Sequence, residues 1–402
     1  MKVLMLGWEL PPHNSGGLGV ACYHLCKALS KKGVDIEFVL PYTAEHDIDF
    51  MRINSAHPQD VEQVLKSGIA YDSFKYVKNS GEIEYIDIFG QSAIYEQAIE
   101  RIVEYAEFDV IHAHDWLTCR AALRAKELTG KPLIVHIHSI ESDRAGTNGG
   151  GNSLVREIEG TSMLLADKII AVSEHTKQAI IREYAIPSEK IDVVHNSFDT
   201  ANLITSEADS AYRYISAMKQ QGYSVIVNVG RLTIQKGLTN LLHAFQAVVE
   251  RNPKTLLLVV GSGEQYYELL SLAAQLGISK NVLFTGFLRG KKWRDAYAVA
   301  DLFVMPSVSE PFGLTPLEAI GYGTPVLISK QSGVSEVLRN CLKVDYWDVD
   351  EMADMMAAVV RNKALGDVLL ANSKQEYDVM SWDKSAIKLF DVYHTQREAV
   401  TV

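Results

Sequence analysis

An α/β protein built from two parallel-sheet halves is the fold class that this sequence predicts. Three observations carry the prediction. Short apolar runs alternate with amphipathic segments along nearly the whole chain, the βαβ pattern of parallel sheets covered by helices. The series stops near residue 196 and restarts at residue 225, leaving a polar stretch with weak helical signal between. The chain has 402 residues, more than one ordinary core holds, and at about 150 residues per domain two units are expected.

In the first half, buried strands are expected at 3–8, 36–40, 110–114, 133–138, 169–173 and 193–196, each a short apolar run bounded by polar or breaking residues. Helical periodicity marks 20–29, 93–106, 118–128 and 175–184. The segment 43–90 is less regular, with a hairpin expected near 83–88. In the second half, strands are expected at 225–229, 256–261, 282–287, 302–306 and 326–329. The resulting division is a first domain at 1–199, a linker at 200–222 and a second domain at 223–381, with the helix at 382–402 returning to the first. Two such halves leave a cleft between the carboxyl edges of their sheets, where a ligand held by both is expected.

Composition narrows the partners. Acidic residues number 50 against 39 basic ones, for a net charge of −11, and no Lys/Arg run appears, so a nucleic-acid surface is not expected. The four cysteines are Cys22, Cys26, Cys119 and Cys341; they lack the clustered spacing of a zinc site and read as free thiols in a reducing compartment. The N-terminal apolar run is too short for a signal peptide, and no apolar window of about 18 residues exists, so a cytoplasmic protein without a transmembrane segment is expected.

Candidate chemistry lies on the loops that follow the strands. Glu310 shares a loop with Pro311-Phe312-Gly313 after an apolar run and reads as a carboxylate held at a sheet edge or as a solvent-exposed loop glutamate. Thr315, Pro316 and Glu318 read as N-cap, first and third residues of a helix, whose start favours an anion. Glu318 fits a capping box as well as a ligand site. Arg231 and Lys236 follow the run at 225–229 and read as a diphosphate clamp or as two solvated loop cations. Gly16, Gly17 and Gly19 precede a helix, as a close approach to a phosphate or a plain turn would need. Gly261-Ser262-Gly263 reads as a tight strand-to-helix turn. His112 with His114, and His136 with His138, share faces of two strands, as core residues or as metal ligands; Asp115 and His138 stand at the strand ends.

Taken in order, the Gly16-Gly17-Leu18-Gly19 loop, His112-Ala113-His114-Asp115-Trp116, His138, Gly230-Arg231, Lys236-Gly237, Glu310 and Glu318 resemble the two-Rossmann-domain (GT-B) glycosyltransferases of family 4 and the related glycogen and starch synthases. The resemblance implies retaining transfer of a hexose, with glucose as first candidate, from a UDP- or ADP-hexose to a sugar or α-glucan acceptor, without metal or cofactor. It places Arg231 and Lys236 at the leaving diphosphate, Glu310 and His138 at the transferred sugar, and Glu318 at the ribose. Gly16 and Gly17 meet the phosphates; Phe312, Gly313, Leu314 and Thr315 offer their amides to the sugar and distal phosphate; Phe287 and Leu288 hold the base; Asp115 lies near the acceptor. By the family's usual reading, the leaving phosphate takes the acceptor's proton. Asn14 replaces a lysine usual in bacterial glycogen synthases, which leaves open an acceptor of another kind, a cell-surface glycan or glycolipid. A nucleotide-sugar 2-epimerase and a non-catalytic sugar-nucleotide-binding protein are the alternatives in other classes.

Overall fold

The computed structural model describes residues 1–13, 16–66, 74–146, 151–198 and 211–400. Two compact units divide the chain: Met1–Glu141 with Gly151–Ser197 and Trp382–Val402 in one, and Ser142–Gly150 with Phe198–Ser381 in the other.

The first unit holds β1 (Lys2–Leu6), β2 (Asp35–Leu40), β3 (Arg52–Ser55), β4 (Val61–Lys66), β5 (Phe74–Lys78), β6 (Ile83–Ile86), β7 (Val110–His114), β8 (Leu133–Ile137), β9 (Lys168–Ala171) and β10 (Ile191–Val193). Seven of these form a parallel sheet in the order β10-β9-β8-β7-β1-β2-β3. Strands β7 and β8 are buried along their whole length, as continuous apolar runs covered on both faces should be. Strand β3 escapes the sequence pattern because it is a polar edge strand, Arg52-Ile53-Asn54-Ser55, with a single partner and alternate residues in solvent.

The irregular segment becomes a three-stranded antiparallel sheet, β4-β5-β6, so the expected hairpin is one half of a larger element. Val64, Phe74 and Tyr76 bury its inner face, and the Tyr76 hydroxyl donates to the Gln91 side chain of the following helix, Ile88–Tyr105. The helix Trp382–Val400 packs in this unit: Leu389 and Tyr393 are fully buried, and the Ser385 hydroxyl donates to the carbonyl of His195 at 2.7 Å.

The second unit holds β11 (Ser224–Val229), β12 (Thr255–Val260), β13 (Val282–Gly286), β14 (Leu302–Met305), β15 (Val326–Ser329) and β16 (Leu342–Val344). They form one parallel sheet in the order β13-β12-β11-β14-β15-β16. Counted within the unit this is 3-2-1-4-5-6, the doubly wound order of dinucleotide-binding folds. Strand β16 is three residues long at the rim, too short to register as an apolar run. The stretch expected as a linker contains a helix, Arg213–Gln220, in which Ile215 alone is buried; residues 199–210 lie outside the described residues. No helix among the described residues is long and apolar enough to cross a membrane.

Candidate active site

In the second unit the strand order reverses between β11 and β14, which lie side by side. Loops leaving such a pair at its carboxyl end turn to opposite sides, and ligands bind in the crevice that results. The loop after β11 carries Arg231 and Lys236; the loop after β14 carries Glu310. Lys236 Nζ meets Glu310 Oε2 at 2.6 Å, and the Ser307 hydroxyl donates to the same oxygen at 3.1 Å. Both charged side chains of this pair are largely shielded from solvent, with 21% and 12% exposure. Partial desolvation strengthens the pair relative to one on the open surface.

Backbone contacts hold the two loops in place. Glu310 N–H donates to Gln331 O at 3.0 Å, its carbonyl accepts from Gly333 N–H at 2.9 Å, and Phe312 O accepts from Val334 N–H at 2.7 Å. The glutamate loop is thereby laid alongside the segment after β15, with Glu310 and Ser332 bridged in parallel. Val308 N–H donates to Gln235 O at 2.8 Å, which ties this loop to the lysine loop. At Gly237, φ is +66° and a Cβ would stand 2.0 Å from the Pro306 carbonyl oxygen, so only glycine lets Lys236 approach the end of β14 this closely. Gly261 and Gly263, read from sequence as a turn, have the same use: a Cβ would stand 1.8 Å from Gly230 O at the first and 2.3 Å from Leu232 O at the second. They press the loop after β12 against the Arg231 loop, where Leu232 N–H donates to Ser262 O at 2.9 Å.

Helix Thr315–Gly321 begins one residue earlier than the sequence suggests. Leu314 is the N-cap and makes no side-chain cap, while the Thr315 hydroxyl lies 3.7 Å from Met305 Sδ. Glu318 does not close a capping box; its Oε2 accepts from the Tyr297 hydroxyl at 2.6 Å. Desolvation pushes the Glu318 carboxyl up to about 7, and the Tyr297 hydrogen bond offsets part of that rise. Phe287 and Leu288 follow β13; Phe287 is 54% exposed and the Arg289 guanidinium lies 5.2 Å from its ring centre.

The first unit repeats the topology, with its reversal between β1 and β7. After β1, Gly16 caps and Gly17 opens the helix Gly17–Lys31. Glu9 is 3% exposed, and its Oε1 accepts from Gly19 N–H at 3.3 Å. Asn14 and Ser15 lie outside the described residues. After β7, Asp115 has φ +58° and ψ 172°, a conformation that L residues rarely adopt and that collects at functional sites. Its Oδ1 accepts from the amides of His138 at 2.6 Å and Ser139 at 3.3 Å, tying the end of β7 to the end of β8.

His112, His114 and His136 on β7 and β8, with His138 directly after β8, form a stacked array in which the first three are fully buried and His138 is partly exposed. His114 Nδ1 lies 2.9 Å from His138 Nε2, His112 Nε2 lies 3.3 Å from His136 Nδ1, and His112 Nδ1 lies 2.5 Å from the Tyr393 hydroxyl. Burial pushes His112 and His138 down to about 3 and lowers His114 and His136 as well, so the rings are neutral. Cys22-His114-His138 and His112-His114-His136 are close enough together to hold a metal ion. The 2.9 Å gap between His114 and His138 is shorter than the roughly 3.3 Å between two nitrogens of a tetrahedral zinc site and fits a shared proton instead. Of the partners that complete these sites, Ser307 and Tyr297 had no local signal in the sequence. Gly261 and Gly263 had one, in a glycine pair directly after a strand.

Residues 15–202 match the family model for Glycosyltransferase Family 4, and residues 216–375 match that for Glycosyl transferases group 1. An uncharacterized glycosyltransferase of Methanocaldococcus jannaschii is 29% identical over 411 residues, covering 99% of both chains. Glycogen synthase of Mycobacterium tuberculosis is 27% identical over 350 residues, 85% of this chain and 80% of its own. D-inositol 3-phosphate glycosyltransferase of Rhodococcus opacus is 25% identical over 395 residues, covering 94% of this chain and 86% of its own. Among solved structures, sucrose-phosphate synthase from Thermosynechococcus elongatus superposes with a TM-score of 0.77 at 19% identity, covering 99% of each chain. Anabaena HepE in complex with UDP and glucose gives 0.72 at 20% identity, covering 98% of this chain and 100% of its own. At these identities the structural likeness speaks for the fold.

Proposed function

The chain belongs to the GT-B glycosyltransferases of the family 4 type, and on that premise we propose that it moves a hexose, glucose first, from a UDP- or ADP-hexose to a sugar or α-glucan acceptor with retention of configuration. The observation that carries this reading is the Lys236–Glu310 ion pair at the point where the strand order reverses, with Arg231 on the same loop as the lysine. In the proposed reaction the bond from the anomeric carbon to the diphosphate oxygen breaks, and a bond to the acceptor oxygen forms on the same face. The leaving phosphate takes the acceptor's proton. Positive charge develops on the sugar and negative charge on the diphosphate, so a carboxylate and two cations fixed before the reaction stabilise both ends of the separation.

Glu310 and His138 are assigned to the transferred sugar, Arg231 and Lys236 to the diphosphate, and Glu318 to the ribose. Gly16 and Gly17 are assigned to the phosphates, and Phe312, Gly313, Leu314 and Thr315 to the sugar and distal phosphate. Phe287 and Leu288 are assigned to the base and Asp115 to the acceptor. The acceptor is assigned to the first unit and the donor to the second. No step is assigned to a metal ion, and equal turnover with and without EDTA is part of the expectation.

The test is a hydrolysis screen of UDP-, ADP- and GDP-hexoses, followed by acceptors with the best donor. Lys236→Ala and Glu310→Ala should each lower transfer roughly 100-fold or more, by the size of single charge-stabilising groups elsewhere. Wild-type turnover in either variant rejects the reading, and an epimerised donor recovered without acceptor supports the 2-epimerase instead. The likeness to D-inositol 3-phosphate glycosyltransferases favours a second acceptor class, phosphorylated cyclitols, which belongs in the same screen.

A further inference from the structure

His138 stands at the end of a hydrogen-bonded line that begins at a sulfur atom. His114 Nε2 lies 3.0 Å from Met5 Sδ, and His114 Nδ1 lies 2.9 Å from His138 Nε2. A thioether has no proton to give and is only a weak acceptor. A bare ring nitrogen at that separation would set one lone pair against another, so the proton of His114 is assigned to Nε2. His114 is fully buried and its burial keeps the ring neutral, which leaves Nδ1 bare. The contact to His138 is then donated by His138 Nε2–H. His138 is also held neutral, with desolvation pushing it down to about 3, so its own Nδ1 carries no proton. That nitrogen has no partner among the described residues.

We infer that Met5 and His114 act as positioning residues that fix His138 in the tautomer with a bare Nδ1, so that the ring meets the sugar as an acceptor for a hydroxyl group. The consequence for specificity is directional. An acceptor-only ring selects a group that can donate, and it leaves a bare nitrogen against any analogue that cannot. Asp115 supports the arrangement from the backbone, since its carboxylate holds the amide of His138. The inference rests on the assignment of His138 to the sugar, and the two are separable by experiment.

The experiment is NMR of the whole protein with nitrogen-15 in the histidine rings, which distinguishes protonated from bare ring nitrogens without any ligand. Wild-type His138 should show a protonated Nε2 and a bare Nδ1 at pH 7; a protonated Nδ1 overturns the inference. In Met5→Leu the constraint on His114 is removed, and part of the His138 population should shift to the other tautomer; a fully unchanged spectrum overturns the role of Met5. His114→Asn, whose side-chain oxygen can accept where Nδ1 does, should restore the wild-type tautomer of His138 and guards against a reading based on misfolding. Kinetically, Met5→Leu should lower kcat/KM by about three- to tenfold, the size of one neutral hydrogen bond. Addition of the donor found by the hydrolysis screen should move the Nδ1 resonance. A donor that turns over without moving it overturns the assignment of His138 to the sugar and leaves the tautomer result standing.

Discussion

If Glu318 meets the ribose as proposed, stability and binding pull this one residue in opposite directions. In the unfolded chain a glutamate loses its proton near 4.5, and in the fold Glu318 does so near 7, because burial disfavours the charged form. The folded state therefore binds more protons between these values, and its stability falls as pH rises through that window. Fully ionised at pH 8, the buried carboxylate costs on the order of 3 kcal/mol. Glu318→Gln should thus be more stable than the wild type at pH 8 and nearly equal to it at pH 4.5, measured by denaturant melts. The same substitution should raise the donor KM, since an amide offers one acceptor atom where a carboxylate offers two. In the wild type, donor affinity should weaken as pH falls below about 7 and the carboxyl takes up its proton. The sequence left Glu318 between helix cap and ligand because both readings use the same local spacing. Tyr297, which settles its hydrogen bond, is 21 residues away.

At the level of elements, the strands that position the site were legible and the contacts between their loops were not. Strands β11 and β14 are apolar runs because both faces of each are covered, and that burial is written in composition. The edge strands β3 and β16 carry no such signature, since an edge strand has one neighbour and needs fewer apolar residues. Glycines marked turns correctly, yet their use lies in close approach: Gly237 to Pro306, Gly261 to Gly230 and Gly263 to Leu232. Gly237→Ala should destabilise the second unit by at least about 2 kcal/mol, combining a left-handed backbone with a clash against backbone that cannot move aside. Gly277→Ala, also at positive φ but with nothing within 4 Å, should cost only about 1 kcal/mol. Urea titration of the two variants separates packing from backbone conformation, and equal losses would show that the contact with Pro306 is unimportant.

Over the whole molecule, the two units have separate cores and opposite responses to acid. The first unit holds His112, His114, His136 and His138 as neutral rings, the first three fully buried and His138 partly exposed, whereas an unfolded histidine takes up its proton near 6.5. The unfolded state binds more protons below that value, so the stability these rings contribute is present above pH 6.5 and is lost as pH falls toward about 3. Each ring removes up to about 1.4 kcal/mol per pH unit in that range. The second unit gains on mild acidification through Glu318. Lowering the pH from 8 to 5.5 should therefore move the melting of the first unit down and that of the second up, read segment by segment with hydrogen exchange. Parallel shifts in both units would count against the buried histidine array as the cause.

By itself the sequence determined two parallel-sheet halves, the strand ends that carry Asp115, His138, Arg231 and Glu310, and the family to which the chain belongs. These follow from patterns a few residues long, because burial of a strand and the breaking of regular structure after it are local requirements. Only the tertiary structure decided that Lys236 pairs with Glu310, that Glu318 answers to Tyr297, and that Met5 addresses His114 across 109 residues. Hydrogen-bond partners and desolvation depend on what packing brings together in space, and no local spacing encodes them.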